Sequence, residues 1–152
     1  MTTKPFVVLS YVGGPALLTN ATNLFVLSTS NRFACAIDRA RVLAERCEEN
    51  DAALDELRDA HTRVDLIVRA LTSFYLAAAM FALGTLATIA GAAVAEIENA
   101  SMLSTVIADA ALVGVAGFLA FVVGAVSLVF EVRLIARMIA REVLSAFERA
   151  AR

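Results

Sequence analysis

Asn20, Asn23 and Asn31 project within about 40° of Leu27 if this part of the chain is a helix turning about 100° per residue. The same stripe continues through Ala34, Asp38, Arg41 and Glu45. Carboxamides and a carboxylate on one helical face can carry partly hydrated ions when copies of the helix surround an axis, because pore linings are polar. They can equally hydrogen-bond to neighbouring helices of a single protomer, or hold a lipid headgroup or small ligand. In hydrocarbon such a face must meet other helices or water, since an unpartnered amide there is costly. Asn20, Asn23, Leu27, Asn31 and Asp38 are therefore the candidate pore-lining residues.

A second group, Glu96, Glu98 and Asp109, forms an acidic rim without a basic residue between Glu96 and Ser101. In a symmetric assembly the rim would concentrate monovalent cations at a mouth. In a protomer on its own it is a solvated acidic loop. Signals for catalysis are sparse. His61 lies in a charged helical stretch with no Ser, Cys or carboxylate arrangement around it, and it reads as an exposed helix residue. Gly13-Gly14 lacks the phosphate-loop pattern, and no paired ligands at helical spacing suggest a metal. Cys35 and Cys47, twelve positions apart, differ by about 120° around a helix and read as free thiols rather than a metal motif. The chain is expected not to be an enzyme and to need no cofactor.

The elements that must position these residues are apolar and long. With 60% hydrophobic and 18% charged residues, the chain carries more apolar surface than one small water-soluble core can hide, so membrane lipid is expected to act as part of its solvent. The formal net charge of -2 and the absence of a dense basic block argue against a nucleic-acid partner. Phe6 to Asn31, Ala70 to Ala95 and Ala110 to Phe130 are uncharged and reach the roughly 20 residues that a hydrocarbon core about 30 Å thick requires. Lys4 is the sole basic residue ahead of the first run and no obvious small-residue cleavage site follows, which disfavours a signal peptide.

Gly13-Gly14-Pro15 interrupts the first run, and because Pro suits a first helical turn the spanning helix is expected to start near Pro15. The predicted organisation is all-α within one membrane domain. Residues 1–14 form an apolar arm, 15–31 the first span, 32–69 a cytoplasmic helical hairpin broken at Glu48-Glu49-Asn50-Asp51, and 70–95 the second span. Residues 96–101 form an outer loop, 102–130 the third span and 131–152 a cytoplasmic helix. Seven arginines between the first two spans and five after the third place both segments inside, with the N-terminus outside. Apolar residues at helical spacing on both sides of the break, and again after Phe130, extend the three helices into a cytoplasmic bundle. A homo-oligomer in a bacterial inner membrane, channel-like, is the leading expectation. A non-transporting scaffold or regulatory subunit that binds a partner through its cytoplasmic helices is the alternative.

Small residues recur through the second span as Ala77, Gly84, Thr88, Gly91 and Ala95, and through the third as Ala110, Gly114, Gly117 and Gly124. Steps of three, four or seven return to one side of a helix, so these are packing faces where backbones approach closely, and the two helices are expected to pair as an antiparallel hairpin.

Ser30-Asn31-Arg32-Phe33, followed by Ile37-Asp38-Arg39-Ala40-Arg41, resembles the bacterial membrane-protein family catalogued as domain of unknown function 2721. Its members carry an Asn-Arg and then an Asp-Arg pattern where the first span leaves the bilayer. Phe130-Glu131-Val132-Arg133-Leu134 resembles the acidic-then-basic exit of that family's last span. The resemblance implies the same topology and transfers no activity. It directs attention to Arg32, Asp38, Arg39, Glu131 and Arg133 at the inner boundary, where ion pairs count for more than at an exposed surface and where they are expected to clamp the first helix to the third.

Overall fold

The computed structural model describes residues 5–46, 52–94 and 100–150, all of them helical. Three helices follow one another as α1 (Pro5–Arg46), α2 (Ala52–Val94) and α3 (Ala100–Ala150). The all-α class is as expected. Two helices contain stretches long and apolar enough to cross a membrane, Glu56–Gly91 in α2 and Ala108–Arg141 in α3. Within the most apolar part of each, only 28% and 17% of the residues are buried within the chain, whereas the core helix of a soluble protein would be mostly covered. Among the described residues α1 does not reach the same apolarity, because Asn and the hydroxyl residues Thr19, Thr22, Ser28, Thr29 and Ser30 dilute its leucines.

Two boundaries differ from the sequence expectation. α1 begins at Pro5 and runs through Pro15, where an arm and a fresh helix start were expected. Pro15 removes one backbone hydrogen bond, but ending a helix there would orphan about four N–H and four C=O groups, so continuing is cheaper. No glycine among those described adopts positive φ, so Gly13-Gly14 makes no turn. α3 takes in Ala100 and Ser101, which the sequence pattern places in the outer loop. The expected break at Glu48 to Asp51 lies outside the described residues.

The chain divides into two compact units, Met1–Leu27 with Thr72–Val123, and Ser28–Leu71 with Gly124–Arg152. In the first unit Phe25, Phe74 and Phe121 bring one ring from each helix together, with centroids 5.2 to 5.5 Å apart. Such pairs add about 0.5–1.5 kcal/mol beyond their burial. Below this cluster α2 meets α3 through small residues. A Cβ on Gly117 would stand 3.0 Å from both Met80 Cβ and the Phe81 ring, and one on Gly84 would stand 3.8 Å from the Ala110 carbonyl. Pairing of Phe74 with Phe121, Phe81 with Gly117 and Gly84 with Ala110 runs antiparallel, because one number rises as the other falls. Thr85 and Thr88 satisfy their hydroxyls on the carbonyls of Phe81 and Gly84 in the preceding turn.

The second unit buries Ala36, Leu43, Ala60, Ile67 and Ala70. Along α2 the buried positions recur every seven residues, as Ala60, Ile67, Phe74 and Phe81 and again as Ala70, Ala77, Gly84 and Gly91. α1 does the same with Thr22, Thr29, Ala36 and Leu43. This is the spacing by which long helices interlock side chains along a narrow seam.

Candidate functional site

Glu131 follows directly on the uncharged run that ends at Phe130, and it continues the small seam positions Gly117 and Gly124 at seven-residue steps. A carboxylate on an inward seam must be partnered, because an isolated buried charge costs several kcal/mol. Its side chain is wholly buried and both oxygens are occupied. Arg32 Nη1 donates to Oε2 at 3.0 Å and Arg63 Nε donates to Oε1 at 3.0 Å. All three residues belong to the second unit, and each comes from a different helix. The Arg32 side chain is 45% exposed and that of Arg63 20%, so the carboxylate is enclosed while its partners keep contact with the surface to different degrees.

Of the five residues expected to clamp α1 to α3, the structure brings Arg32 and Glu131 together. Asp38, Arg39 and Arg133 stand exposed. Arg63, one charge among many in the sequence, brings in the third helix. Its position was recoverable, since it falls three residues after Ala60 and four before Ile67, on the inward face of α2. A more peripheral pair, Arg141 to Asp59 at 3.2 Å, joins α3 to α2 in the same unit.

The polar stripe of α1 is positioned differently. Asn20, Asn23, Leu27, Asn31 and Asp38 are all exposed on the chain. Asn20 lies two residues before the buried Thr22, and Asn31 and Asp38 lie two residues after the buried Thr29 and Ala36. Two residues turn a helix by about 200°, so the stripe points away from the seam. Among the described residues, none accepts or donates a hydrogen bond to these three carboxamides. The buried threonines are served locally in at least one case, Thr22 Oγ1 donating to the Leu18 carbonyl at 2.7 Å.

Of the packing residues, Ala77, Gly84, Gly91, Gly117 and Gly124 are all buried. Of the acidic rim, Asp109 is exposed on α3, while Glu96 and Glu98 lie outside the described residues. His61 is exposed, with Nε2 3.8 Å from the Asp65 carboxylate one turn on. Cys35 is an exposed free thiol, and Cys47 lies outside the described residues. Among the described residues no group of three or more metal-ligating side chains gathers. An open groove of about 530 Å³ runs between α1 and α2 in the second unit, lined by Ile37, Ala40, Ala44, Leu54, Leu57 and Val64 with Arg41, Arg58 and His61.

Comparison with curated proteins and with solved structures finds no match. A family model described as "Protein of unknown function (DUF2721)" matches residues 13–141, a stretch that takes in the α1 stripe, the packing glycines and all three members of the Glu131 centre. The chain belongs to that family.

Proposed function

We propose that the chain crosses a bacterial inner membrane three times, N-terminus outside and C-terminus inside, and assembles into a homo-oligomeric pore for monovalent cations lined by α1. The observation that carries this reading is the outward exposure of Asn20, Asn23 and Asn31, opposite the buried seam of α1. An amide moved from water into hydrocarbon without a partner costs about 4–8 kcal/mol. Asn20 and Asn23 alone would then offset much of the ~5–15 kcal/mol that holds a typical fold. Facing other copies and water around an axis removes that cost and gives the carboxamides a use.

The exposed surfaces of α2 and α3 in the first unit support the same arrangement. Leu83, Leu86, Ile89, Leu112, Phe118 and Leu119 are apolar and suit acyl chains. The lower apolarity of α1 fits a helix screened from lipid by its neighbours. The Glu131 centre serves the lining indirectly, by fixing α1 to α2 and α3 with charged hydrogen bonds of defined geometry. Asp109, with Glu96 and Glu98, would enrich cations at the outer mouth. The chain is read as a conduit rather than an enzyme, with no cofactor.

Reconstitution into liposomes tests the reading. Asn23→Leu is expected to suppress cation flux at least tenfold while the oligomer stays intact, and Asn23→Asp to raise selectivity for cations over anions. A normally conducting Asn23→Leu variant would contradict the lining. The groove beside Arg41 and Arg58 favours the alternative, a scaffold whose inner helices hold an acidic amphipathic segment of another protein. That reading expects no flux from any variant.

A further inference from the structure

α1 carries a second seven-residue repeat, on the face that the protomer leaves uncovered. Leu17, Leu24, Asn31, Asp38 and Glu45 recur every seven residues, and Asn20, Leu27, Ala34 and Arg41 follow three residues after the first four of them. Every one of these positions is exposed, the leucines by 71%, 64% and 64% for Leu17, Leu24 and Leu27. Alternating steps of three and four are the signature of a seam between long helices packed side by side. We infer that neighbouring copies of this chain meet through α1 helices that run parallel and in register along this outward repeat. The inference rests on the homo-oligomeric reading above and adds its partner surface, orientation and alignment.

Several features select a second copy as the occupant. Copies inserted with one topology around a symmetry axis present α1 in the same direction, so each layer of the seam meets the same layer of its neighbour. An asparagine carboxamide both donates and accepts, so Asn20 and Asn31 are each complementary to themselves. Asp38, Arg41 and Glu45 alternate in sign. In register, Arg41 of one copy falls about 4.5 Å along the axis from the next copy's Asp38 level and about 6 Å from its Glu45 level, given a rise of about 1.5 Å per residue. One basic ring is thereby set between two acidic rings. A slip of one heptad brings Asn31 opposite Asp38 and Leu24 opposite Asn31, replacing the self-complementary amide layer by an amide against a carboxylate and against a leucine. Polar residues at single seam positions are the established means of fixing register. The Leu24 and Leu27 layers fall between the Asn20 and Asn31 rings, so the alignment also sets the narrow apolar level of the path.

The test uses the full chain in its membrane, with Cys35→Ser and Cys47→Ser to remove the native thiols. Leu24→Cys and Ala34→Cys, each added singly and exposed to a mild oxidant, are expected to give covalent dimers. Leu83→Cys, exposed on α2, is expected to give less than a tenth as much. Absence of dimer at both α1 positions, or equal dimer at Leu83, overturns the inference. Charge supplies a second readout. Arg41→Glu is expected to shift the purified protein to the protomer with its helicity unchanged, and Asp38→Arg added to it to restore assembly. Retention of the full oligomer by Arg41→Glu contradicts the alignment. Crosslinked dimers without flux would remove the pore and leave this interface standing. Flux without crosslinks would remove the interface and leave the pore.

Discussion

At the scale of single residues, Glu131 governs what its partners can tolerate. Both guanidiniums bond the same buried carboxylate at 3.0 Å, yet they sit in different surroundings. Arg63 is the less exposed, so water cannot easily replace it. Arg63→Ala is expected to cost about 3–5 kcal/mol, the range for stranding a buried charge. Arg32→Ala should cost clearly less, because solvent screens a half-exposed pair. Thermal unfolding in detergent reads the order, and an Arg32→Ala variant that melts lower than Arg63→Ala would contradict it. The legibility of this centre was uneven for a physical reason. Glu131 and Arg32 stand where uncharged runs end, which composition reveals. Arg63 sits amid charges on α2, where the inward seam alone distinguishes it from its solvated neighbours.

At the scale of elements, close approach of α2 and α3 depends on which glycine faces the partner. Gly114 and Gly117 are three residues apart on α3, and both belong to the small-residue pattern. A Cβ at Gly114 meets nothing within 4 Å, whereas at Gly117 it meets Met80 Cβ and the Phe81 ring at 3.0 Å. Gly117→Ala is expected to destabilise the protein by about 1–3 kcal/mol, the usual cost of overpacking. Gly114→Ala should be neutral or stabilising by up to about 1 kcal/mol from helix propensity. A melting temperature lowered equally by both substitutions would show that the contact at Gly117 does not decide the packing. The small-residue pattern identified the face from sequence, but the choice between its members required the facing helix. α1 continues through Pro15 because that residue weakens a helix only locally, while the cost of ending one is spread over a whole turn on each side.

At the scale of the whole molecule, the buried face of α1 mixes hydroxyl with apolar residues, and its exposed face mixes leucines with asparagines. Thr22 and Thr29 are fully buried, while Leu17, Leu24 and Leu27 are more than half exposed. Small hydroxyl residues permit close helix contact, and Thr22 satisfies its hydroxyl on its own helix. The asparagine stripe could be read from spacing alone. Its direction could not, because burial of Thr22, Thr29, Ala36 and Leu43 follows from where the other helices pack. The proposed aqueous path rests on that outward direction. Water access at the middle of the stripe is therefore the most direct test. With the native cysteines replaced, Asn23→Cys should conduct cations in a planar bilayer, and a small charged thiol reagent added from the aqueous side should block that current. A current that the reagent leaves unchanged, or a thiol that labels only from within the lipid phase, would contradict an α1-lined aqueous path.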